Sequence, residues 1–231
     1  MASQDELQRK LQQLEAELNR SPQPRQRLQT APSTVTEPQT LRQAIQATSQ
    51  DVKGRLLLPL SILAIPWAQE IIDQVVFQGQ WNLVVQPRTL AGLPGIFTSA
   101  FSHSGFGHLI ANSIAFTIFS WLILAKSKRD YWITLLIGWI GGGFLCWLLG
   151  PQAAHGLSGV VYTLFGYLLT IGLLERRLWP LLISIFVLLN FSYVIWGILP
   201  LQFGVAWWGH LFGLLLGIFS AFGVCRNPKQ S

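Results

Sequence analysis

Two polar side chains lie in stretches of this 231-residue chain that are poorly suited to hold them. Ser158 sits in Gly156-Leu157-Ser158-Gly159 at the start of an apolar run, and His210 sits in Trp207-Trp208-Gly209-His210-Leu211-Phe212-Gly213 near the start of another. Polar groups at membrane depth are expensive and are usually retained for function. A serine hydroxyl is a poor nucleophile until a base takes its proton, and a neutral imidazole is such a base near neutral pH. Triads add a carboxylate that orients the histidine. No Asp or Glu falls within the second to sixth candidate helices, and nothing in the sequence brings Glu70 or Asp73 to His210. The residues therefore argue for a Ser158–His210 dyad.

Acyl transfer also needs donors aimed at the developing oxyanion. The Gly-x-Ser-Gly turn offers the backbone N–H groups of Leu157 and Ser158 at a helix N-terminus, where negative charge is favoured. His108 and Asn112 are four residues apart, hence on one helix face, and can point an imidazole N–H and an amide N–H at the same place. Each residue also has an ordinary reading. A serine in a membrane helix commonly packs or bonds back to the helix, and His108 with Asn112 can bridge helices. His155, next to the Gly156 turn, reads as a solvated loop residue.

The elements that must position these groups follow from composition. Hydrophobic residues make up 51% of the chain and charged residues 11%, and residues 131–174 and 178–225 contain no Lys, Arg, Asp or Glu. Such stretches exceed the roughly 20 residues that cross a bilayer. Six candidate membrane helices result, over residues 56–77, 107–125, 131–149, 157–174, 179–199 and 206–224. Pro59 and Pro66 lie inside the first. The fold class expected is an all-α polytopic membrane protein with a polar N-terminal extension, divided as 1–50 and 51–231. In the extension, Leu7, Leu11, Leu14 and Leu18 form a helical stripe of about two heptads, enough for weak self-association. Residues 21–40, with four prolines, read as a flexible linker.

Basic residues orient the bundle. Lys53 and Arg55 precede the first helix, Lys126, Lys128 and Arg129 join the second and third, Arg176 and Arg177 join the fourth and fifth, and Arg226 and Lys229 follow the sixth. The opposite loops hold Arg88 alone. The positive-inside rule places both termini in the cytoplasm. His108, Asn112, Ser158 and His210 then all lie within roughly 10 Å of the outer rim, at 1.5 Å per helical residue. The net charge of +6 is spread along helix flanks, so no nucleic-acid-binding patch is expected. Cys146 and Cys225 have neither disulfide nor metal spacing, and no metal or cofactor is called for. Small residues at Gly156, Gly159, Gly166, Gly213 and Gly217 suit close approach of the fourth and sixth helices. The triple glycine Gly141–Gly143 reads as packing.

Three spaced motifs carry a family resemblance. Gly156-Leu157-Ser158-Gly159 followed by Val160-Val161-Tyr162 resembles the active-site helix of rhomboid intramembrane serine proteases. His103 with His108-Leu109-Ile110-Ala111-Asn112 is similar to that family's His-x4-His-x3-Asn pattern, and His210-Leu211-Phe212-Gly213 with Gly217 to its His-x2-Gly-x3-Gly helix. The resemblance covers about residues 55–225. It implies a six-helix rhomboid fold, Ser158 as nucleophile, His210 as base, and His108, Asn112 and backbone N–H groups as the oxyanion hole. It further implies that Tyr162 stacks on His210 and that His103 supports the first loop. Many members carry a Trp-Arg pair in that loop; here Trp81 and Arg88 stand apart. The apolar loop segment 90–97 is expected to dip into the outer interface.

The function expected is endopeptidase cleavage of transmembrane or juxtamembrane segments of membrane proteins, in a prokaryotic plasma (inner) membrane. The alternative is a catalytically silent rhomboid-like binder or chaperone, which loss of Ser158 or His210 would signal. A proton-relay transporter would show carboxylates along its path, and the core has none.

Overall fold

The computed structural model describes residues 4–20 and 41–225. The chain parts into two compact units between Ser49 and Gln50, and each is described by itself. In the first unit, α1 spans Gln4–Arg20, with Leu11 and Leu14 exposed on it. The linker at 21–40 and the basic residues Arg226 and Lys229 lie outside the described residues.

Among the described residues, six helices are long and apolar enough to cross a membrane. They are α2 (Leu41–Val76), α3 (Phe106–Lys126), α4 (Lys128–Leu149), α5 (Ser158–Glu175), α6 (Leu178–Phe191, its span carried on to Ile198 by a 3₁₀ segment) and α7 (Trp207–Cys225). Three match their expected limits closely. The first is longer, because the polar residues before Leu56 continue the helix and Lys53 and Arg55 stand on it. The third starts at Lys128, because Ser127 caps it by accepting from the Asp130 N–H. α4 also contains a π-helical turn over Ile137–Gly141. The fifth candidate is α-helical only to Phe191 and tightens to a 3₁₀ segment over Ser192–Ile198.

α5 is the central helix: 61% of its span is buried, against 22–44% for the others. Its partnership with α7 is backbone on backbone. A methyl group built on Gly213 would lie 2.2 Å from the Gly159 carbonyl oxygen, one on Gly217 2.1 Å from that of Thr163, and one on Gly166 2.5 Å from that of Leu214. No side chain fits at these crossings, so the small-residue faces let the helices touch. Gly143 is pressed on the Ile96 carbonyl of the first loop, while a methyl on Gly142 would meet nothing within 4 Å.

Basic and acidic side chains gather at the ends of the helices opposite Ser158. Lys126 bridges Asp130 at 2.5 Å and Glu175 at 2.7 Å, Tyr167 Oη donates to Asp130 at 2.7 Å, and Arg55 and Lys128 meet Asp51. Asp130 and Glu175 are thus inside helical limits after all. Glu175 is 17 residues down α5 from Ser158, about 25 Å along the axis. Neither serves His210.

The long loop between α2 and α3 is built from short helical turns, Leu90–Gly92, Gly95–Thr98 and Ser99–Phe101. Within segment 90–97 the backbone hydrogen bonds close locally. Leu90 and Phe97 are exposed and Ile96 is buried. The loop is fastened to α4 and to the loop that follows it. Trp147 Nε1 donates to the Thr89 carbonyl, Trp139 Nε1 to that of Phe97, and Arg88 to the Gly150 carbonyl at 2.9 Å. Val85 and Ala154 form a single antiparallel bridge. Trp81 is held separately, donating its N–H to Asp73 and accepting from Gln69.

Candidate active site

Gly156 begins the site. Its φ of +117° is a conformation that L side chains rarely adopt, and it turns the chain sharply into α5. A methyl group there would lie 3.2 Å from His108 Cε1, 3.7 Å from His108 Nε2 and 3.8 Å from Ser158 Oγ. The bare face of Gly156, the His108 ring and the Ser158 hydroxyl thus border one small space.

The turn is held from the first loop. Gly156 N–H donates to the Ser99 carbonyl at 2.8 Å, and Leu157 N–H donates to His103 Nε2 at 3.2 Å. His103 is fully buried and packs edge-on against His108 with centroids 5.2 Å apart. Burial, and next the nearby His108, bring His103 from its ordinary value down to about 4. At neutral pH its Nε2 therefore keeps the lone pair that Leu157 needs. This corrects the expectation for Leu157: its N–H is already spent on His103 and is not free for an oxyanion. The next N–H, that of Ser158, opens the helix and has no intrahelical acceptor.

His210 and Ser158 meet. His210 Nε2 is 2.9 Å from Ser158 Oγ, and His210 Nδ1 is 2.8 Å from the Gly197 carbonyl oxygen. A carbonyl can only accept, so Nδ1 carries the proton and Nε2 offers its lone pair to the hydroxyl. The ring stacks on Tyr162, with centroids 4.2 Å apart and planes 6° from parallel, and Tyr162 Oη donates to the Val194 carbonyl at 2.6 Å. The 3₁₀ segment after α6 therefore grips both rings. Asn112 is buried one turn along α3 from His108, and its Nδ2 has no hydrogen-bond partner. Gly159, Gly213 and Gly217 act at the helix crossing that brings the two halves together.

The Rhomboid domain family model matches residues 91–227, more than half of the chain. The chain belongs to the rhomboid family. It is also 30% identical over 183 residues to an uncharacterized protein of Mycobacterium tuberculosis, covering 74% of this chain and 76% of that one. An uncharacterized protein of Mycobacterium leprae is 32% identical over 183 residues, covering 74% and 72%.

Sequence reasoning missed two features of this rhomboid site. The Gly197 carbonyl occupies the place a triad gives to a carboxylate, and backbone acceptors leave no mark in residue type. His155 is half-buried, not solvated: its Nδ1 lies 3.2 Å from Ser102 Oγ and its Nε2 3.2 Å from Ser104 Oγ. Burial lowers its pKa, with His108 as the second cause. A cavity of about 40 Å³ lies beside Ser158, bordered by Ser99, Gly142, His155 and Gly156. A larger groove of about 570 Å³ between α2 and α3 is lined by residues such as Leu60, Trp67 and Ile118, and Ser158 is not among them.

Proposed function

We propose that this rhomboid protein is an intramembrane serine endopeptidase, with Ser158 as nucleophile and His210 as general base and acid. The observation that carries the reading is the 2.9 Å contact between His210 Nε2 and Ser158 Oγ, with the opposite ring nitrogen on the Gly197 carbonyl. As Oγ bonds to the scissile carbonyl carbon, its proton passes to Nε2. The carbonyl oxygen gains the negative charge and faces the Ser158 N–H, Asn112 Nδ2 and His108. Collapse breaks the C–N bond, and Nε2–H protonates the departing amine. The acyl-serine is then hydrolysed by water activated in the same way. The small cavity beside Ser158 has room for about one to three waters.

The substrates in this reading are membrane proteins whose transmembrane helices unwind near the outer face, since helical carbonyls are otherwise tied up in hydrogen bonds. The protein would sit in a prokaryotic plasma membrane with both termini cytoplasmic. The test is reconstitution of the full chain with a single-spanning test substrate and a fluorophosphonate probe. Labelling and cleavage are expected in the wild type, and both vanish in Ser158→Ala and in His210→Ala. A folded wild-type protein inert to probe and substrate would sink the reading in favour of a silent binder.

A further inference from the structure

Helices α2 and α3 are tied together at two levels and stand apart between them. At one level Trp121 Nε1 donates to the Leu56 carbonyl at 3.0 Å, and Arg55 to the Leu124 carbonyl. At the other, Trp67 Nε1 donates to Ser113 Oγ at 3.1 Å. Between these ties lies the groove of about 570 Å³, with Leu60, Leu63 and Ala64 on one wall and Ile114, Thr117 and Ile118 on the other. Pro59 and Pro66 fall in the same stretch of α2, where each removes a helical hydrogen bond and bends the axis. Held at both levels, the helices cannot close the groove without giving up a tie.

The groove is apolar and opens on the lipid-facing surface. Leu63 is its floor at 5% exposure, while Leu60 and Ile114 are 47% and 57% exposed at its lips. In a multi-pass membrane protein such lips meet hydrocarbon, so the groove continues a surface that already contacts lipid. Trp67 Nε1 and Ser113 Oγ are spent on each other, which leaves Thr117 as the further polar side chain in the lining. A trapped water needs two to four polar partners, whereas an apolar cavity of about 150 Å³ stays dry and binds benzene. The much larger space here suits a longer hydrocarbon, and leaving it empty would forfeit the dispersion contacts of its lining.

Charge decides which end the occupant enters. Lys53, Leu60 and Trp67 are seven residues apart and share a face of α2. The 14 residues from Lys53 to Trp67 rise about 21 Å, which matches the roughly 15 Å of hydrocarbon in one leaflet plus its headgroup layer. Among the described residues Lys53 is exposed and pairs with no carboxylate, whereas Asp51 is shared by Arg55 and Lys128. The Trp67 ring, stacked on Phe106, closes the far end.

We propose that the α2–α3 groove holds one acyl chain of an anionic phospholipid, drawn from the leaflet at the Lys53 end, with its phosphate against Lys53. The chain fills the space that the two ties keep open. This inference stands apart from the protease reading.

The test is photocrosslinking of the full chain in phosphatidylcholine liposomes. One sample carries a trace of phosphatidylglycerol with a mid-chain diazirine, and a second carries the same chain on a choline headgroup. Adducts are located by mass spectrometry of peptides. We expect the phosphatidylglycerol probe to mark residues 60–67 and 113–118 about 5-fold more than the choline probe, the worth of one lysine beside an anionic headgroup. Both stretches should also be marked well above the exposed Ile185 and Leu189 of α6. Lys53→Gln should remove the headgroup preference. Ala64→Phe, at an exposed position, puts a fixed side chain in the groove and should abolish its adducts while sparing those on α6. Thr117→Leu narrows the groove from the other helix and should reduce the same adducts if Ala64→Phe fails to fold. Even labelling of the groove and α6 would overturn the proposal. So would equal capture of both headgroups, a preference that survives Lys53→Gln, or adducts that persist in the filled variants. Displacement of the adducts by a single-spanning test substrate would also overturn it and give the groove to a substrate helix.

Discussion

At the residue scale the site depends on two locks placed away from the reacting oxygen. The first is His103. Its pKa is depressed to about 4 from an ordinary 6.5, so between those values the unfolded chain binds a proton that the folded one resists. Its contribution to stability is thus complete above pH 6.5 and is lost as pH falls toward 4. Protonation also removes the acceptor for the Leu157 N–H and frees the turn before Ser158. Thermal unfolding and probe labelling measured from pH 7.5 to 4 should decline together, and His103→Gln should flatten the share of the stability curve due to this group. The second lock is Gly197. A methyl group there would lie 1.9 Å from Tyr162 Oη and 3.3 Å from His210 Nδ1. Gly197→Ala should therefore slow labelling by at least about 10-fold through displacement of the imidazole. Adding Tyr162→Phe removes the atom in closest conflict and should recover part of that loss. Equal rates in the single and double variants would show that the clash is relieved elsewhere.

At the element scale the α5–α7 crossing decides whether serine and histidine can meet. A side chain at Gly217 must displace the Thr163 carbonyl, and a displaced α7 carries His210 with it. Gly217→Ala should cost about 1–3 kcal/mol, the usual size of an overpacked core, and should depress labelling. A methyl on Gly223 in the same helix would meet nothing within 4 Å. Gly223→Ala should be neutral or stabilising by up to about 1 kcal/mol, since Ala is the better helix former. Thermal unfolding of the two variants side by side makes the comparison. The motif Gly-x3-Gly was legible in the sequence because small-residue spacing survives in one dimension. The π-helical turn over Ile137–Gly141 and the tightening after Phe191 were not, because both arise from how neighbouring elements pack.

At the scale of the whole molecule, the ion pairs among the described residues gather at one end and the dyad lies at the other. Lys126, Lys128, Asp130 and Glu175 gather at the ends remote from Ser158, and Arg88 is tied to the carbonyls that end α4 on the dyad side. The orientation proposed from this sorting is open to a direct measurement. Phe203, fully exposed between α6 and α7, offers a reporter position. In a Cys225→Ala background, Phe203→Cys should react with an impermeant maleimide from outside intact cells, and Ser127→Cys only after permeabilisation. The reverse pattern would invert the topology and put the dyad at the cytoplasmic face.

The amino-acid sequence by itself determined the spans, the polar residues at one depth and the family. Hydrophobic length, flanking charge and residue type are all one-dimensional signals. Only the tertiary structure decided what holds those residues ready: the Gly197 carbonyl behind His210, the His103 nitrogen that uses up the Leu157 N–H, and the register at which α5 and α7 cross. Each depends on a backbone group or a register, and every residue has a backbone. Which carbonyl or N–H comes to matter is settled when the helices pack.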